Sequence, residues 1–337
     1  MAGYQEIKMD KSLYQREGGF SRALEELDPS DGYRDTELEG LTAFERQLKR
    51  FDIKVSGSRS DRVEKFFRTG DSAVLFPAYI GAAVEQGMQG RDILSRIIAA
   101  RTDINAMDYR SILPLPDPVD RELADVAEGG FLPETEIRLK ENLVRLKKRG
   151  RILKASYEAI KFQRLDLFSV ALRQIGTQLA RTAVKDAVEV LIGGDGNQNP
   201  AQQLETAAAG TVSYQDLCKL WGMFDEYEMN VLLVSPEVGN QILALPELRT
   251  AGDGNRFGDP SSFVTPFGAE LIKCSAVPAG TIVALDRGCA LEMVTAGGVS
   301  VEYDKAIDCQ TERVGITSIT GFAKLYPDAV KVMTLKA

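Results

Sequence analysis

The sequence predicts an α+β fold, and three observations carry that expectation. Residues 164–192 form one amphipathic stretch with no proline in it. After Gly194 the texture changes to short apolar runs separated by Gly- and Pro-containing turns. Residues 111–157 are of neither kind, being a proline-broken, basic excursion with too few contiguous apolar residues for a core of its own. At 337 residues the chain can bury a sizeable core, and its length suggests roughly two domains.

Residues 1–70 are charged, mixed in sign and poor in β-branched residues. They read as short helices in an arm that lies on a surface or packs on another subunit, because so few apolar residues cannot fold alone. Thr42-Ala-Phe-Glu45 is a capping box, and Phe44, Leu48 and Phe51 share one face of the helix it opens. Ser60 is placed to cap a second short helix through Phe67. Ala73 to Ile80 is apolar and overlaps a helix expected to begin near Pro77, while Ile93 to Ile98 reads equally as a buried strand or a short helix.

Pro114, Pro116 and Pro118 then interrupt regular structure, and Gly129, Gly130 and Pro133 break it again. A dense basic tract follows: Arg138, Lys140, Arg145, Lys147, Lys148, Arg149, Arg151 and Lys154, relieved only by Glu141, with Ile137, Leu139, Leu143, Val144, Leu146, Ile152 and Leu153 between the charges. So long a hairpin-like extension is usually functional. In the amphipathic stretch, Leu165, Phe168, Leu172, Ile175 and Leu179 step by three or four, and Ala183, Ala187 and Leu191 continue the face to the Gly193-Gly194 stop. At 1.5 Å per residue this helix is roughly 43 Å long, a structural spine.

Beyond it, Ser213 to Asp216 is a capping box for a helix containing Trp221, Val231–Val234 is a buried strand, and Ser235-Pro236-Glu237 starts a helix to Ala244. Residues 245–268 read as a loop. Strands are expected at Glu270–Cys274, Thr281–Leu285, Ala290–Val294, Val299–Tyr303, Ile307–Ile319 and Ala329–Thr334.

The chain contains no histidine, which excludes a Ser-His-Asp triad, a Cys-His dyad and a histidine zinc site. Cys218, Cys274, Cys289 and Cys309 form no C-x-x-C pair and read as reduced thiols of a cytosolic protein. Neither a signal peptide nor a membrane-length apolar run is present. Asp195-Gly-Asn197-Gln-Asn199 opens like a calcium loop but places Pro200 sixth and Thr206 twelfth, where Gly and Glu belong. Gly252-Asp-Gly254-Asn-Arg-Phe-Gly258 lacks the spacing of a nucleotide-binding turn. No enzyme activity, catalytic residue, metal or cofactor is therefore expected.

Net charge is −8, yet Arg138 to Lys154 holds eight basic residues and one acid, a net of +7 that leaves −15 on the remainder. A phosphate-binding ribbon is one reading of the tract, but it has no aromatic residue to stack on a base. A basic arm beside an acidic body favours pairing between copies of the chain.

The order of these pieces resembles the major capsid protein of tailed bacteriophages, the Hong Kong 97-like fold. The resemblance runs from about Leu41. It rests on Ser72-Ala-Val-Leu-Phe-Pro77, on the basic segment ending Lys148-Arg-Gly-Arg-Ile-Leu-Lys-Ala-Ser-Tyr157-Glu-Ala-Ile, and on the helix Arg164–Ile192. To these it adds the series Val277-Pro-Ala-Gly-Thr281, Asp286, Glu312-Arg313 and Tyr326-Pro-Asp-Ala-Val330. It implies an N-terminal arm and lead-in (1–110) and an extended hairpin, the E-loop (111–157). A peripheral domain (158–194 and 298–318) would hold the spine helix at about 164–192, and an axial α/β domain would take 195–297 and 319–337.

The resemblance also implies pentamers and hexamers closing an icosahedral shell around double-stranded DNA, assembled in a bacterial cytoplasm. Scaffolding, portal and decoration proteins would be partners, and no membrane. The eight basic residues of the E-loop would contact a neighbouring subunit, and Gly176 would ease a bend of the spine helix during shell expansion. Some members weld the shell by a Lys–Asn bond promoted by a Glu. Here Gln310 and Thr317 stand at the Asn and Glu positions, so no self-catalysed cross-link is expected. The arm before Leu41 is short, and maturation by a protease is not expected. The alternatives are an encapsulin-like compartment that stores cargo enzymes and, from another class, a nucleic-acid-binding protein using the basic tract.

Overall fold

Local hydrogen bonding sets the helix starts. Thr42 accepts the Glu45 N–H while Glu45 takes the Thr42 N–H, and the same reciprocal box recurs at Thr69/Ser72 and Ser213/Asp216. The computed structural model describes residues 6–337 except 17–18, 91, 107, 114–124, 127, 129–137 and 252–262. Pro114, Pro116, Pro118, Gly129, Gly130, Pro133, Ile137 and the Gly252–Gly258 stretch lie outside the described residues.

In chain order the helices are α1 (Gly19–Leu27), α2 (Ala43–Arg50), α3 (Gly70–Gln89), α4 (Tyr157–Phe162), α5 (Leu165–Gly193), α6 (Tyr214–Trp221), α7 (Pro236–Ala244) and α8 (Pro246–Ala251). The first strands are β1 (Ala100–Asp103), β2 (Ile112–Leu113), β3 (Arg138–Leu139), β4 (Lys147–Ser156), β5 (Gln202–Ala209), β6 (Val231–Val234) and β7 (Phe263–Val264). After them come β8 (Glu270–Lys273), β9 (Thr281–Leu285), β10 (Leu291–Thr295), β11 (Ser300–Ala306), β12 (Thr311–Lys324) and β13 (Val330–Lys336).

The chain divides into two units. The first takes residues 1–91, 149–180 and 299–318. In it β11 and the start of β12 form an antiparallel hairpin, from Ser300 opposite Thr317 to Ala306 opposite Thr311. Its core joins Leu75, Phe76, Ile80 and Val84 of α3 to Leu165 and Leu172 of α5 and to Ile316 of β12. Residues 1–70, expected to lie on a surface or on another subunit, in fact enter this core through Ile7, Met9, Leu13, Phe20, Leu24, Leu48, Ile53 and Phe66. Few apolar residues suffice because a larger partner surface receives them.

Helices α3 and α5 touch at backbone distance. A Cβ added to Gly176 would lie 1.9 Å from the Val84 carbonyl, one added to Gly87 would lie 2.1 Å from that of Arg173, and Thr177 Oγ1 donates to Gly87 O at 3.1 Å. Close packing is thus one structural reason for Gly176.

Helix α3 corrects one expectation. It begins at Gly70, and Pro77 lies inside it. Proline has no N–H and its ring crowds the carbonyl four residues back, so the ladder opens there. Tyr14 fills the gap: its hydroxyl accepts the Ala78 N–H at 2.9 Å and donates to Val74 O at 2.7 Å. Ser60 does not cap a helix either; it accepts from Arg164, and the turn Val63–Phe67 is a 3-10 helix without a side-chain cap. Residues Leu94–Arg96 are also 3-10, so the undecided segment 93–98 is a short helix.

The second unit takes residues 92–148, 181–298 and 319–337. Its main sheet has the order β5-β13-β9-β6-β8-β7. Leu233, Val283 and Leu285 meet the Ala187 and Leu191 face of α5, whereas Leu232, Val234, Ile282 and Ala284 meet Leu217 and Leu220 of α6 and Val238 and Ile242 of α7. With both faces covered, β6 and β9 are apolar at nearly every position. Beside it β1 runs parallel to β10, and β10 pairs antiparallel with the end of β12. Strand β5 was not expected, and α8 occupies part of the expected loop 245–268.

Tyr14→Phe should strand a buried donor and acceptor and destabilise the chain by about 1–3 kcal/mol in chemical denaturation. Adding Pro77→Ala should recover most of that loss, because the helical ladder can then close.

Candidate assembly surface

The excursion leaves and re-enters the second unit through two buried polar anchors. On the outgoing side is Glu292 of β10, 4% exposed. Its Oε1 accepts from Thr102 and Tyr109, each at 2.6 Å, and its Oε2 accepts from Ser111. Three hydroxyl donors replace the water this carboxylate has lost. Burial, then the Glu292 carboxylate, push the Tyr109 hydroxyl up.

On the returning side Lys140, 2% exposed, donates to Asp195 Oδ2 at 2.7 Å and to the Lys324 carbonyl. The same Asp195 oxygen accepts the Lys324 N–H at 3.0 Å, and Asn197 donates to Oδ1. Burial would raise the Asp195 carboxyl; hydrogen bonds from Lys140 and Asn197 and the Lys140 charge outweigh it and hold it below the usual range. Lys324, fully buried, donates its ammonium to Leu191 O at 3.1 Å, one of the last carbonyls of α5. Burial, partly offset by Asp195, lowers its pKa to about 8. Gly194, at φ +87°, lets the chain turn from α5 into Asp195.

The two sides are tied to each other. Lys140 N–H donates to Ser111 O at 2.9 Å and Val144 N–H to Tyr109 O at 2.8 Å, and β2 pairs antiparallel with β3. Asn142 reaches Gly196 and Asn197, and Lys147 donates to Asp186 at 2.7 Å and lies 3.4 Å from Glu189, one turn apart on α5. Beyond these roots the ribbon exposes Ile112, Leu113, Leu139 and Leu143. Exposed apolar clusters of this kind mark interaction surfaces.

A sequence profile described as phage capsid protein matches residues 140–324, more than half of the chain. The chain belongs to the phage capsid protein family. Solved structures agree on the fold. A Microbacterium phage, Oxtober96, aligns at TM-score 0.52 and 13% identity over 72% of this chain and 90% of that one. The mature capsid of bacteriophage PhiM1 aligns at TM-score 0.51 and 11% identity, over 73% and 88%. A virus-like particle from Pyrococcus furiosus aligns at TM-score 0.51 and 12% identity, over 76% and 98%. No curated protein matches the chain in sequence. The α+β fold of this protein is that of phage capsids, and its role is that of a structural shell protein.

Within this capsid protein the eight basic residues do not act as one group. Lys140 cannot meet a neighbour, since it is buried against Asp195, and Lys147 is engaged by Asp186 and Glu189 of its own helix. Arg138, Arg145, Lys148, Arg151 and Lys154 are exposed and Arg149 is half-buried. Asp195 lies 2.7 Å from a lysine ammonium, which disposes of the calcium-loop resemblance. Gln310 sits exposed at φ +49° in the hairpin turn with its carbonyl taken by Tyr157 N–H, and Thr317 is half-buried beside Gly150. All four cysteines are free. Glu292 and Lys324 escaped sequence reasoning because their partners lie more than a hundred positions away in the chain, beyond any local spacing rule.

Two outcomes follow from the buried charges. Lys140→Met leaves Asp195 buried without its cation, and urea denaturation should show a loss of roughly 3–5 kcal/mol; Lys140→Met with Asp195→Leu should recover most of it. The second concerns pH. Between pH 8 and 10.5 the unfolded chain holds a proton on Lys324 that the folded chain has released, so stability rises with pH there. Asp195, Asp328, Lys331 and Lys140 are the charged groups acting on Lys324. Relative to Lys324→Met, the wild-type chain should gain up to roughly 3 kcal/mol across that window, read from denaturation midpoints.

Proposed function

We propose that this chain is the major capsid protein of a tailed phage, assembling into pentamers and hexamers of an icosahedral shell that encloses packaged double-stranded DNA. The excursion carries the reading: both ends are pinned by buried polar anchors while the ribbon between them presents apolar and basic side chains outward. A segment held so firmly at its root, with no core of its own, is built to meet another surface. That surface is a neighbouring copy, since removing the basic tract leaves the chain strongly acidic. Scaffolding, portal and decoration proteins are the further partners this reading brings, with assembly in a bacterial cytoplasm.

Contacts in the proposed shell are non-covalent, because neither Gln310 nor Thr317 offers the amide-and-carboxylate pair of a self-catalysed cross-link. Gly176 is proposed to ease a bend of α5. Gly176→Ala is a poor probe of that role, because the added methyl collides with α3. A second reading, a compartment holding cargo proteins, draws support from the similarity to the Pyrococcus furiosus virus-like particle.

Electron microscopy of the expressed chain tests the assignment: closed shells of uniform size are expected, and only small soluble species under all conditions would refute it. Nuclease-protected DNA inside particles from infected cells, rather than protein cargo, separates the first reading from the second. Denaturing electrophoresis should give one monomer band, with no covalent ladder. Replacing Lys148, Arg151 and Lys154 together by Gln should reduce shell yield. Each exposed pair is worth only about 0–1 kcal/mol, and repetition over every subunit makes the sum decisive.

A further inference from the structure

In the first unit, Lys305 of β11 holds its ammonium over three aromatic rings. The ring centres of Phe67, Tyr157 and Tyr303 lie 4.8, 5.9 and 6.0 Å from Nζ. The walls come from separate segments: the 3-10 turn Val63–Phe67, the first residue of α4, and β11. A carboxylate closes the remaining side. Glu312 stands directly opposite Lys305 in the β11–β12 ladder, and its Oε1 is 3.2 Å from Nζ. The two-residue alternation of a strand puts Tyr303, Lys305 and Glu312 on one face.

The box is under-satisfied. Glu312 is 6% exposed, yet its Oε2 accepts no hydrogen bond, and the buried Tyr303 hydroxyl has no partner among the described residues. A buried carboxylate oxygen and hydroxyl without donors are costly. Lys305 uses only half of what the site offers, and its own side chain is 47% exposed. It can swing into water without leaving a hole in the core.

We propose that this box is a binding site for a small organic ammonium ion bearing N–H donors, with Lys305 as its built-in placeholder. The three ring faces attract any cation. Glu312 Oε2 and the Tyr303 hydroxyl select one that can donate hydrogen bonds, which a quaternary ammonium cannot. A linear alkyl diamine suits the shape: one ammonium takes the position of Nζ, the methylenes follow the path of the Lys305 stem, and the second ammonium stays in water. This inference is independent of the shell assignment.

Calorimetric titration with 1,4-diaminobutane tests it on the full chain. Lys305→Ala should bind the diamine at least tenfold more tightly than wild type, and tetramethylammonium at least tenfold more weakly than the diamine. Glu312→Gln added to Lys305→Ala should abolish binding. Tyr157→Leu, a milder change that removes one wall, should weaken diamine binding to Lys305→Ala at least threefold. The diamine should also raise the thermal midpoint of Lys305→Ala, and sodium chloride of equal ionic strength should not. Equal weak binding by wild type and all variants, the mark of general attraction to a chain of net charge −8, would overturn the proposal. So would a midpoint that rises as much with sodium chloride, or unchanged binding after Tyr157→Leu.

Discussion

Lys140 leaves water to meet Asp195, and the root of the excursion depends on that exchange. Desolvating two charges costs several kcal/mol each, and a buried pair often does no better than apolar residues of equal size. What a pair supplies that packing does not is direction. Asp195 accepts from Lys140, from Asn197 and from the Lys324 backbone, so its oxygens are satisfied only when three separate segments arrive in one register. A leucine in its place would tolerate a slip. The excursion has no core to correct an error at its base, so a specific base is worth more than a stable one.

The outgoing side reaches the same end by different chemistry. Glu292 has hydroxyls rather than a cation, each from a residue on or near β1 or the lead-in to β2. The two anchors are also joined: Lys140 bonds to the backbone of Ser111, whose side chain is held by Glu292. Lys324 extends the network by binding a terminal carbonyl of α5 with its ammonium. The end of the long helix, the last residue of β12 and the root of the excursion therefore share one set of buried charges. A displacement of any one must break a hydrogen bond of another.

The features legible in the sequence are those whose cause is local. The boxes at Thr42 and Ser213 need only residues three apart. The spine helix announces itself by its period and its Gly194 stop, and β6 and β9 by apolar runs that two covered faces permit. Pro77 misled because proline favours the first turn of a helix; the hydroxyl that makes it tolerable comes from Tyr14, sixty-three positions earlier. Pro246-Glu247 did carry a helix-start signal, the same proline and acid that opened α7, but it lay in a segment already read as loop. Lys140 looks like its basic neighbours in the sequence, and only Asp195, fifty-five positions on, distinguishes it.

That distinction changes what the basic tract can do. Lys140 and Lys147 are neutralised at home, so the charge available to a proposed neighbour is smaller than +7 and sits mainly on Arg145, Lys148, Arg151 and Lys154. In water such charges steer an approach and select against wrong registers, while adding little to the affinity of any one contact. The exposed Ile112, Leu113, Leu139 and Leu143 are different, because burying apolar surface stabilises by roughly 25 cal/mol per Å² whatever the salt. On this division, raised salt slows or misdirects assembly by screening the basic side chains, whereas polar substitution of Leu139 and Leu143 removes the cohesion itself.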